Sequence, residues 1–175
     1  WKFGYKNIQI LLEKLVKAKI DIVECGFLTN KVSYTADSSQ FNDAEQIIKM
    51  LPQKRDNTKF VVMINFNEYT SNLIPYHTSE SFDGIRIAFH KKDMKGALEL
   101  CQEVKEKGYE VFIQPMVTSS YSDKEFLELI SIVNKIQPFA FYIADSFGSM
   151  KTDDLLHLFY LADYNLLKKI NMGFH

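Results

Sequence analysis

Apolar positions along this chain switch repeatedly between two periods. Over Lys6 to Lys17 they fall at Ile8, Leu11, Leu12 and Leu15, the three-and-four spacing that predicts an amphipathic helix. Ile20 to Phe27 is short and strand-like, so the two segments form a helix-to-strand step. The step recurs, with further strands predicted at Phe60 to Phe66, Gly84 to His90, Tyr109 to Val117, Pro138 to Asp145 and Ile170 to His175. Helical spacing returns between them at Ala44 to Leu51, Met94 to Val104, Phe126 to Val133 and Leu155 to Ala162. Ser122 with Glu125 predicts a capping box, and Thr152 ahead of Asp153 and Asp154 predicts an N-cap with acids in the first turn.

Strands that alternate with helices at intervals of about 25 to 40 residues imply parallel strands joined by right-handed crossovers. Such a sheet is either open and doubly wound or closed into a barrel. An open sheet gathers its chemistry at one switch point beside a glycine-rich loop, and no GxGxxG or Walker sequence occurs here. A barrel instead packs its interior and turns residues near the carboxyl ends of many strands toward a common mouth.

The polar residues follow the barrel pattern. Strand side chains alternate faces, so Ile85, Ile87 and Phe89 form a helix-facing set and leave Arg86, Ala88 and His90 on the other face. In the last strand Met172 and Phe174 take the helix-facing parity, leaving Asn171, Gly173 and His175. Glu24 shares a face with Ile22, Asn65 with Met63 and Gln114 with Phe112. Charges are rarely buried without partners, so these groups either pair with one another, as Glu24 could with Arg86, or bind a ligand. Asp145 and Ser146 follow the sixth predicted strand, and parity alone does not say which of them faces the mouth.

The composition, 46% hydrophobic and 25% charged, is that of a globular domain with a real core. A net charge of −1 with scattered lysines gives no basic stripe for a nucleic-acid backbone. The longest wholly apolar run, Phe139 to Ala144, is far short of a bilayer span. Neither nucleic acid nor membrane is therefore an expected partner, and the cytoplasm is the expected location. Cys25 and Cys101 lie in apolar-patterned segments without a CxxC pair, as buried reduced thiols do. Lys91 and Lys92, just after a strand, offer a Schiff-base alternative that solvated lysines rarely fulfil.

Four segments carry a family resemblance. Ile20 to Phe27, with Glu24, Cys25 and Gly26, resembles the second strand of the HMG-CoA-lyase-like barrels, also called DRE-TIM metallolyases. Arg86-Ile87-Ala88-Phe89-His90 followed by Asp93 is similar to the RVATH…D stretch of their 4-hydroxy-2-oxovalerate aldolase branch. Tyr142 to Met150 is similar to that branch's Y-x-x-D-S-x-G-x-M turn, and Met172-Gly173-Phe174-His175 resembles the start of its G-x-H-x-H-N segment.

The resemblance implies a partial (β/α)₈ TIM barrel over residues 1–175, about strands 2 to 7, with the first strand and the last strand and helix units lying outside it. The start on Trp1 rather than Met, and the strand-like close on Gly173-Phe174-His175, agree with that expectation. It implies a divalent ion, Mn²⁺ or Mg²⁺, held by a first-strand aspartate and two histidines, of which His175 alone is in hand. The chain by itself is thus expected to bind metal weakly and to be inactive. The implied activity is cleavage or formation of a carbon–carbon bond of a 4-hydroxy-2-oxo acid through a metal-stabilised enolate. Glu24 and Arg86 would order the site or its substrate, while Ser146 or Asp145, Asn65 and Gln114 would touch the substrate. His90 would serve as a base, a substrate contact or a support behind one. An acyl-transferring 2-oxo-acid synthase and a non-catalytic barrel-like binding module are the alternatives, and the Arg-x-x-x-His strand favours the aldolase. A homo-oligomer or a partner dehydrogenase would accord with the same resemblance. Tyr34, Tyr69, Tyr76, His77 and Tyr121 lie in predicted loops, as pocket-shaping or simple packing residues.

Overall fold

A computed structural model describes residues 2–53 and 55–175. Helix α1 (Tyr5–Lys17) leads into β1 (Ile22–Leu28), β2 (Gln40–Phe41), α2 (Ala44–Ile48) and β3 (Lys59–Asn65). Then follow β4 (Gly84–Phe89), α3 (Met94–Glu106), β5 (Glu110–Pro115), α4 (Asp123–Ile136), β6 (Ala140–Ile143), α5 (Thr152–Asn165) and β7 (Asn171–Phe174). Among the described residues the strands form one sheet in the order β2-β1-β3-β4-β5-β6-β7, every pair parallel. Each predicted strand and helix is present. The two-residue β2 is an addition, too short to carry a period of its own.

Ser122 accepts from the backbone N–H of Glu125, whose carboxylate takes the Ser122 N–H in return, so the predicted capping box starts α4. The start of α5 differs from expectation by one residue. Lys151 is the N-cap and Thr152 the first helical residue, because the Asp154 carboxylate accepts the Lys151 backbone N–H at 3.2 Å. Between β3 and β4 a single 3₁₀ turn, Ser71–Leu73, replaces a crossover helix.

One sheet face packs on the helices. Phe60, Val62, Ile64, Ile85, Ile87, Val111, Ile113 and Phe141 from the strands meet Leu98, Cys101, Phe126, Leu129 and Val133 from the helices in one buried core. Fully buried rings such as Phe126 and Phe141 each contribute about 1.5 to 3 kcal/mol by leaving water. The other face holds a smaller cluster, Val61, Phe112 and Ala140 with Phe139 and Tyr142 packed against it. The sheet curls around that face: the Tyr142 phenol on β6 lies within electrostatic range of both Arg86 on β4 and Glu24 on β1.

The curl depends on a bulge. Glu24 pairs with Val61 and Gly26 with Val62, leaving Cys25 as an extra residue in β1. Beyond it the parity of β1 reverses, so Phe27 rather than Gly26 comes level with Met63 on the inner face.

Candidate functional site at the carboxyl ends of the strands

The inner face rises in layers set by the strand register. Met63, Arg86, Phe112 and Ala140 form one level, and Asn65, Ala88 and Gln114 the next toward the carboxyl ends. Tyr142 pairs with Gly173 two positions beyond Ala140, which extends that upper level to β6 and β7.

Arg86 is the centre of the arrangement. Its Nε donates to Glu24 Oε2 at 2.6 Å and its Nη2 to Oε1 at 2.8 Å, a two-pronged pair that fixes the guanidinium plane. Nη1 donates to the Gln114 side-chain oxygen, and Nη2 also reaches the Met63 sulfur at 3.2 Å. Arginine carries five N–H donors; the second hydrogen on Nη1 has no partner among the described residues. Only 8% of Arg86 is exposed, so its charge depends on these partners rather than on water.

Three expected residues, Glu24, Arg86 and Gln114, thus come together, and the others stand apart. Asn65 donates from Nδ2 to Glu68 at 3.2 Å, while its Oδ1 is buried without a hydrogen-bond partner. Glu68 also accepts from Thr29 at 2.9 Å and pairs with Lys31 at 3.2 Å. Burial opposes ionisation of Glu68, but the donors from Asn65, Thr29 and Lys31 outweigh it and hold the carboxyl below its ordinary range. Asn65, Ala88, Met116 and the exposed His90 line a cleft of about 230 Å³ above Arg86's strand.

Asp145 is engaged within its own turn, and Ser146 with the loop after β5. The Asp145 carboxylate accepts the backbone N–H groups of Met150 at 2.9 Å and Ser149 at 3.0 Å, which hold its pKa low and close the turn before α5. Ser146 Oγ accepts the N–H of Val117 at 2.9 Å. Val117 occupies the left-handed region at φ 51°, a strained place for a β-branched residue and one that falls at the mouth after β5. Beneath it, buried Thr118 donates from its hydroxyl to Ala144 O at 2.6 Å and accepts from Ala144 N at 2.7 Å, tying this loop to β6.

His175 continues the edge of β7: its N–H donates to Ile143 O at 2.9 Å, and its carbonyl accepts from Asp145 N at 2.8 Å. Its side chain is exposed. Among the described residues no group of three His, Cys, Asp or Glu side chains is placed to hold a metal ion. The donors described therefore do not fit a complete metal centre. Lys91, the Schiff-base alternative, is committed to Glu125 at 3.0 Å and to the Ser120 carbonyl at 2.8 Å. No described helix is long and apolar enough to cross a membrane.

No protein-family description and no curated protein sequence matches the chain. Solved structures do. The N-terminal domain of a proposed aldolase from Bacteroides vulgatus superposes on 100% of the chain with a TM-score of 0.75 and 21% identity. The HMG-CoA lyase from Brucella melitensis superposes on 99% of it with a TM-score of 0.69 and 10% identity. The chain has their fold. It spans 58% of the first solved chain and 65% of the second, and is accordingly a partial TIM barrel. The polar layer just described therefore lies at the end of the barrel where enzymes of this fold place their sites.

Sequence reasoning met Tyr142 only as the tyrosine that opens the Y-x-x-D-S-x-G-x-M resemblance and gave it no role, because Phe139 to Ala144 reads as an apolar run buried on both faces. The pairing of its level with Gln114, from the register of β5, β6 and β7, is the signal that finds it.

Proposed function

We propose that this chain forms the greater part of the barrel of a carbon–carbon lyase of the HMG-CoA-lyase-like family, acting on a 4-hydroxy-2-oxo acid. The observation that carries the reading is the fixed, nearly buried Arg86 guanidinium with one unpartnered N–H, set at the mouth end of a barrel shared with a lyase and a proposed aldolase.

Retro-aldol cleavage removes the proton of the 4-hydroxyl, breaks the C3–C4 bond and leaves its electron pair in an enolate. The aldehyde departs, and protonation at C3 gives the smaller 2-oxo acid. A cation held beside the developing negative charge lowers that barrier. Glu24 and Gln114 hold Arg86 in one orientation, which satisfies the need for a pre-set donor. His90 at the rim is the imidazole closest in sequence to that group and is assigned proton transfer at the 4-hydroxyl. Ser146 and Asp145 shape the rim through the turns they close.

Among the described residues His175 alone would hold Mn²⁺ or Mg²⁺, an ion that would supply Lewis-acid stabilisation of the enolate when bound. The full-length polypeptide, a 2-oxo acid and D₂O test the reading. Deuterium should wash into the methyl group of pyruvate with the wild type and not with Arg86→Met. Absence of exchange by the folded wild type would refute it.

A further inference from the structure

Among the described residues Tyr142 is the one tyrosine on the inner face at the level of Gln114, and its ring packs against the Val61, Phe112 and Ala140 cluster that fills the barrel interior. Its place is built into the neighbouring strand. A Cβ on Gly173 would lie 2.5 Å from Tyr142 Cε1 and 2.7 Å from Cδ1, so the bare backbone there is what admits the ring. From that seat the phenol feels Arg86 and Glu24, which project from β4 and β1 across the curl. Burial is the larger influence and keeps the phenol protonated, so at neutral pH it is a hydrogen-bond donor. No hydrogen bond uses that donor among the described residues, whereas the Asp145 carboxylate is taken up by the turn that follows it and Ser146 Oγ accepts the Val117 N–H.

We propose that Tyr142 is a substrate-binding residue whose hydroxyl, together with the unpartnered Nη1 hydrogen of Arg86, donates to the carboxylate of a small 2-oxo acid. One neutral and one charged donor from different strands suit a two-oxygen anion, and Ala88, two positions above Arg86 on β4, puts only a methyl group on the inner face over the guanidinium. The assignment rests on the 2-oxo-acid reading above but not on the lyase step.

Pyruvate is the probe. It is titrated into the full-length polypeptide labelled with [ζ-¹³C]tyrosine, in the wild type and in Tyr142→Phe, which keeps the ring against Gly173 and removes the oxygen alone. The wild type should show one saturable tyrosine resonance shift that is missing in the variant. Pyruvate affinity should fall by roughly 10- to 100-fold with an unchanged melting temperature, as loss of a hydrogen bond to a charged group implies. Equal pyruvate affinity in the two proteins, or no binding to the wild type, overturns the assignment. The lyase reading fails separately: pyruvate binding that depends on Tyr142, without cleavage of a 4-hydroxy-2-oxo acid, leaves the assignment standing and removes the lyase. Cleavage that Tyr142→Phe leaves untouched does the reverse.

Discussion

The ring of Tyr142 fills the space in which any side chain on Gly173 would have to begin, with the nearest ring carbon 2.5 Å from that position. Two strands are thereby fitted to each other at the mouth of the barrel. Gly173 is needed for its lack of a Cβ, since its backbone angle is not among the positive-φ glycines. Gly173→Ala should push the ring out of place and destabilise the fold by about 1 to 3 kcal/mol, the ordinary range for overpacking. Urea denaturation of the single variant measures this. The double variant Gly173→Ala/Tyr142→Leu should recover part of the loss.

The Glu24–Arg86 pair makes a sharper demand. Glu24→Ala leaves an arginine that is 8% exposed without its carboxylate, and breaking such a pair costs about 3 kcal/mol. Replacing both, as Glu24→Leu/Arg86→Met, should cost less than the single change, because no charge is then stranded. Chemical denaturation of the three proteins checks the ordering.

Arg86 and its partners were legible in the sequence because β4 is regular, so alternation alone separates Ile85, Ile87 and Phe89 from Arg86 and Ala88. Glu24 was legible for the same reason, yet the bulge at Cys25 was not, and it alone explains why Phe27 turns inward. Asp145 and Ser146 lie past the last β6 residue, Ile143, where a two-residue period no longer applies. Their engagement in turns could be known only from the backbone N–H groups that surround them. Tyr142 sits in an apolar run whose composition hides which face carries the hydroxyl, and only its register with Gly173 reveals it.

Thr118 ties the loop after β5 to β6 through both polar groups of Ala144, and its side chain is wholly buried. Thr118→Val keeps the shape and strands the Ala144 N–H. The expected cost is about 1 to 3 kcal/mol. Amide exchange at Ala144 should accelerate in step with the loss of global stability.

Glu125 gives the pH dependence. The Ser122 backbone N–H and then Lys91 draw its pKa down to about 2 from an ordinary 4.5. A depressed carboxylate stabilises the fold above its unfolded value, so the contribution is complete above about pH 4.5 and is lost as pH falls toward 2. NMR titration of the Glu125 carboxyl should show a midpoint near the lower figure in the wild type, and Lys91→Met should move it upward. A wild-type midpoint in the ordinary carboxylate range would contradict the capping box and ion pair.

If the mouth around Arg86 serves a carbon–carbon lyase, the protein cleaves a 4-hydroxy-2-oxo acid. The full-length polypeptide is incubated with 4-hydroxy-2-oxopentanoate and Mn²⁺, and pyruvate is followed with a coupled dehydrogenase. The wild type should release pyruvate, and Arg86→Met should release it at least about 100-fold more slowly, as loss of a donor to the developing charge implies. A folded wild type that releases none, or a variant that keeps the wild-type rate, would rule out a lyase site at Arg86.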